Sequence, residues 1–175
     1  MGYLLHCWRN FMFGRSNQIK RNQYNVSRGN LVLVVIFTMI NVVLCLLGQD
    51  TYFLFSAIVP YFIASIGALW GGLYPPEYYS DMELTEADFW PVWLVIVCAA
   101  VAITIIAVYF VCWLLSKKYV AFMIVALVLF VIDTIMMPIL FGISLEWILD
   151  YIFHAWVLIS LILGIIHYFK NGSKA

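Results

Sequence analysis

Five long apolar runs separated by short polar punctuation organise this chain. Pro91 to Leu115, Tyr119 to Phe141 and Ile148 to Phe169 are each long enough to cross a bilayer as a helix, which takes about 20 apolar residues. Leu31 to Leu47 is slightly shorter and apolar except for Thr38 and Asn41. The fifth run, Thr51 to Trp70, has the length to span but carries Pro60 in its middle. The pattern predicts an all-α polytopic membrane bundle: four transmembrane helices (about 31–47, 91–115, 119–141 and 148–169) plus a re-entrant or outer-leaflet helix within 51–70. The alternative is five transmembrane helices. Around this single transmembrane domain (30–170) lie a basic amino-terminal segment (1–29), an acidic aromatic loop (71–90) and a polar tail (171–175).

Charge placement separates the two topologies. With five crossings and the amino terminus inside, Lys117, Lys118, Lys170 and Lys174 fall outside, and Arg9, Arg15, Lys20, Arg21 and Arg28 inside. With four crossings all nine basic residues lie on one side, and the loop containing Glu77, Asp81, Glu83, Glu86 and Asp88 lies on the other. Lys and Arg near helix ends favour the cytoplasmic side, so the four-crossing topology is expected, with the amino terminus cytoplasmic and the plasma membrane as location. Composition agrees: 66% of residues are hydrophobic and 10% charged, against about 25% charged in soluble domains. The basic segment beside a membrane helix reads as an anchor to anionic lipid rather than to nucleic acid.

The contested run has Ser56, Pro60, Ala64, Ala68 and Gly72 at every fourth position. On a helix they form a ridge without bulk, suited to close packing within the chain or against a partner. Trp70, Trp90, Trp93, Tyr74, Tyr78 and Tyr79 gather around the acidic loop as an interfacial aromatic belt would.

The chemistry-bearing residues are few. Asp133 interrupts the run "VLFVIDTIMMPIL", and a charge near a helix centre costs about 2.5–3.5 kcal/mol on the milder insertion scale. The turn into the last helix centres between Ile143 and Ser144, ten residues after Asp133 and ten before His154. In an antiparallel hairpin the two side chains therefore share a depth. On a wheel of the last helix, Glu146, Asp150, His154, Ser160, Gly164 and His167 fall within an arc of about 140°, so one face looks inward. Asn41 and Asp50 belong to the same outer half, and the expected polar cluster is Asp133, His154, Asp150, Asn41 and Asp50.

Four scattered cysteines form no C-x-x-C pair, and one histidine with a few carboxylates makes a poor zinc set. No catalytic residue, metal or cofactor is expected, and no removable signal peptide. The leading expectation is an accessory or homo-oligomerising membrane subunit, partnered by lipid and by itself or another membrane protein. The alternative is a component of a proton- or ion-coupled small-solute transporter; an intramembrane enzyme ranks last.

Overall fold

The computed structural model describes residues 2–49, 51–79, 82, 84 and 88–172, with side chains from residue 23 to residue 170. It is all-helical: α1 (Gly2–Leu46), α2 (Ile58–Trp70), the single turn α3 (Pro76–Tyr79), α4 (Val92–Leu115), α5 (Val120–Phe141) and α6 (Ile148–Gly172), the last preceded by a 3-10 turn at Leu145–Trp147. Among the described residues, four helical stretches are long and apolar enough to cross a membrane: Gln23–Leu46, Val92–Leu115, Val120–Phe141 and Leu145–Lys170. Helix α1 does not begin at Leu31. It runs unbroken from Gly2, and Ser27 and Asn30 are already buried in the bundle.

The five-crossing alternative is overturned by the path of residues 47–74. After α1 the chain turns at Gly48 (φ 71°) and doubles back without helical structure alongside α1. Phe53 pairs with Asn41, and Ala57, further along, reaches Thr38, one helical turn deeper. From there α2 climbs back. A side chain at Gly48 would collide with the Leu73 carbonyl, and the Tyr74 hydroxyl meets the Cys45 sulfur at 3.3 Å. The segment enters and leaves at the same end of the bundle. Its 13 helical residues rise only about 20 Å, too little to cross.

Pro60 explains where the helix starts. A proline lacks an N–H, and the first turn of a helix has no internal acceptor for one, so Pro60 costs nothing in the first turn of α2. It marks a helix start rather than a kink in a longer helix.

The remaining helices alternate. The acidic end of the bundle holds Leu46, Val92, Phe141 and Leu145; the basic end holds Gln23, Leu115, Val120 and Lys170. α1 and α6 share the most extensive interface, and α2 packs chiefly on α4 and α1. Ala64 and Ala68 of the small-residue ridge are wholly buried inside the chain, with Pro60 beside them. Ser56 precedes the helix and Gly72 follows it in a left-handed turn (φ 68°), so neither belongs to the ridge. A second small pair, Gly67 and Gly71, seats α2 against α4. A Cβ at Gly67 would lie 2.7 Å from the Cys98 Cβ, and one at Gly71 would run into Val95.

The aromatic belt needs a similar correction. Trp93 is exposed, but Tyr74 and Tyr79 are buried. The Tyr79 hydroxyl donates to the Leu69 carbonyl (3.1 Å) and accepts from the Tyr74 N–H (3.1 Å), closing the last turn of α2. The Tyr79 hydroxyl thus satisfies backbone groups left free where the helix ends.

Candidate functional site: a buried Asp–His pair under a re-entrant helix

Irregular backbone at membrane depth survives only where protein or a wet cavity satisfies its polar groups. Polar side chains of α1 and α6 meet part of this demand along the returning segment. Asn41 Nδ2 donates to the Phe53 carbonyl (2.7 Å), and Asn41 Oδ1 accepts from the Phe53 N–H (2.8 Å). The Asp150 carboxylate accepts from the Phe55 N–H. Phe55 itself adopts φ 77°, unusual for a residue with a side chain, and its ring is held edge-on to Phe153 at 4.4 Å.

The first turn of α2 is then accounted for completely. The Ala57 N–H donates to Thr38 Oγ1 (2.7 Å), the Ile58 N–H to Asp133 Oδ2 (2.9 Å) and the Val59 N–H to Asp133 Oδ1 (2.8 Å). Pro60 has no N–H to satisfy. No side chain of α2's own N-cap takes part. The cap comes from two other helices, and its acidic member lies where the positive end of the helix dipole favours a carboxylate. The acid in the apolar run of α5 is thus a tertiary helix cap.

Asp133 also faces His154, with Oδ2 and Nε2 3.2 Å apart; the imidazole is wholly buried and the carboxylate nearly so. The shared depth expected from the turn is the depth observed. Thr38 and Asp133 stand eight residues before Leu46 and Phe141, the ends of their helices, which places the pair about 12 Å below the acidic end. The His154 ring stacks on Phe130, with centroids 4.9 Å apart and planes 9° from parallel. His154 Nδ1 donates to the Asp150 carbonyl at 2.8 Å. A carbonyl can only accept, so Nδ1 carries the hydrogen of the neutral ring. The Nε2–carboxylate contact then requires one further proton, on the imidazole or on the acid.

Four of the five expected cluster residues gather here, in different roles. Asp133 and His154 touch. Asp150 is buried beside them and takes the Tyr52 hydroxyl at 3.4 Å, while Asn41 grips the returning segment and Ser56 Oγ (2.9 Å) rather than Asp133. Asp50 lies outside the described residues. Burial, reinforced by the nearby Asp150 carboxylate, pushes the Tyr52 phenol up, so it serves as a neutral donor. Of the wheel positions, Asp150, His154, Ser160 and Gly164 do face inward, with Phe153, Val157 and Leu161 among them. Glu146 sits exposed in the 3-10 turn, and His167 at the edge of the face bonds to the Leu163 carbonyl of its own helix.

Sequence reasoning left Thr38 out of the cluster and missed Tyr52 and the three N–H donors at the start of α2. The available signal was Pro60: a proline followed by ten residues of helical pattern places a helix start, with its orphan donors, immediately before it.

The chain matches no protein-family model, no curated protein and no solved structure.

Proposed function

We propose that the chain is a component of a proton-coupled membrane transporter for an ion or small solute. Its working element is the re-entrant hairpin seated on Asp133 and His154. The observation that carries this reading is the half-helix whose first turn ends at mid-depth on the buried Asp133–His154 pair. Half-helices that open at mid-membrane on titratable or ligand-binding groups are how many secondary transporters build their central site; the parallel is architectural. The carboxylate suits two N–H donors at a helix start, but that role does not call for the imidazole opposed to it, and ionisable pairs inside membranes often mark proton routes.

On this reading the acidic end faces outward and the basic end the cytoplasm, in the plasma membrane, following the rule that Lys and Arg remain inside. Four crossing helices are few for a pathway, so the working unit is an oligomer or a complex with another membrane protein.

A second reading has support of its own. No buried side-chain nitrogen or oxygen among the described residues lacks a hydrogen-bond partner, as befits a purely structural anchor in an accessory subunit. Proteoliposomes with a trapped pH-sensitive dye and an imposed pH gradient and membrane potential separate the two. Transport predicts proton entry above that of protein-free vesicles, abolished in folded Asp133→Asn and His154→Gln proteins. Proton entry no faster than in empty vesicles leaves the structural reading.

A further inference from the structure

The opposite end of the bundle carries charge that the chain itself does not balance. There is no Asp or Glu before Asp50, between Asp88 and Asp133, or after Asp150. Arg28 belongs to α1, five residues inside the apolar stretch that starts at Gln23. Its Nε donates to Ser116 Oγ at 2.9 Å and its Nη2 to the Trp113 carbonyl at 3.2 Å, and the guanidinium lies over the Trp113 ring at 5.9 Å. Tyr24, one turn earlier, donates to the Ser116 carbonyl at 2.7 Å. These contacts brace Arg28 against the end of α4, directly beside the turn that carries Lys117 and Lys118. Both lysines are exposed, and the Lys118 ammonium sits 5.2 Å from the Tyr119 ring centre.

The carbonyls at the end of α4 offset part of one positive charge. They do not offset three. Nor do they use the guanidinium fully: two of its five N–H donors are engaged in the contacts above, and the fork geometry suits a phosphate. We propose that Arg28, Lys117 and Lys118 form a binding site for the phosphate of an anionic phospholipid. A lipid suits the place better than a soluble phosphate ester. Arg28 lies below the end of the apolar stretch, and Val111, Leu114 and Leu115, around the same end of α4, are exposed and apolar. Acyl chains would cover them while the headgroup meets the cations. Trp113 and Tyr119 sit at the level where aromatic rings border the headgroups.

The test is thermal unfolding of the purified full chain in a neutral detergent, titrated with phosphatidylglycerol, phosphatidylcholine or inorganic phosphate. Phosphatidylglycerol should raise the midpoint in a saturable way, while the other two should not. Lys117→Gln with Lys118→Gln, both exposed positions whose loss leaves the packing intact, should weaken the apparent lipid affinity by roughly fivefold per charge removed. Arg28→Lys, which keeps the charge but loses the fork, should weaken it as well. Equal shifts with phosphatidylcholine, or full lipid affinity in both variants, would overturn the site. A shift of the same size with inorganic phosphate would assign it to a soluble anion and overturn the lipid.

Discussion

Two buried polar clusters lie along the seam between α1 and α6, and they are built differently. Nearer the basic end, Ser27 Oγ donates to the Ser160 carbonyl (2.6 Å) and Asn30 Nδ2 to Ser160 Oγ (2.7 Å). Gly164 lets the helices approach until a Cβ there would strike Ser27. All of these groups are neutral. At mid-depth the partners are Asp133, His154 and Asp150, all ionisable, with Thr38 and Asn41. Leu31, Val34, Val157 and Leu161, wholly buried, belong to the same two helices and fill the seam with apolar bulk. The difference follows from what each cluster must satisfy. Two regular helices satisfy their own backbones, so hydroxyls and one amide suffice to register them. A helix that starts inside the bundle exposes a row of N–H donors at the positive end of its dipole, and a carboxylate answers two of them at once.

If that contrast is right, the largest loss belongs to Asp133→Ala. It strands the Ile58 and Val59 N–H groups and leaves His154 without its partner, and breaking a buried pair costs about 3–5 kcal/mol. Denaturant unfolding in detergent should give a fall of that size or no folded protein; a loss below that of Ser160→Ala would erase the distinction between the clusters. Next comes the coupling within the pair. Asp133→Asn and His154→Gln should each destabilise, and together by less than their sum, with about 0.5–3 kcal/mol of interaction. Additive losses would mean that the 3.2 Å contact carries no energy of its own.

Thr38→Val keeps the shape but removes the acceptor for the Ala57 N–H, an effect of about 1–3 kcal/mol. It should also increase hydrogen exchange at the start of α2 more than at its end; uniform exchange would argue against a cap at this position. The smallest effect is Ser160→Ala. Hydrogen bonds between membrane helices average about 0.6 kcal/mol, and Ser27 keeps the Gln23 and Ser160 carbonyls as acceptors. A loss as large as that of Thr38→Val would show the neutral cluster to be more than a register device.

Much of the architecture was written in local pattern. Apolar run lengths and the one-sided placement of Lys and Arg already called for four crossings and a fifth run that returns, because both follow from lipid thickness and from charge near helix ends. The shared depth of Asp133 and His154 was also legible, since a short turn and a constant helical rise leave little freedom. Residues 31–47 alone, by contrast, understated α1: the polar residues before them read as a basic interfacial anchor until Ser160 and Gly164 supply partners across the seam. Spacing by four made Ser56 and Gly72 look like members of one helix face, because periodicity cannot tell where a helix begins. Only the tertiary structure decided that. Three N–H groups find acceptors on α1 and α5, so the helix can start at Ile58 in the interior of the bundle. Which distant side chain answers an orphan donor depends on how helices far apart in sequence are brought together. That is why Asp133 was visible as an anomaly in the sequence, and as the cap of α2 only in the folded chain.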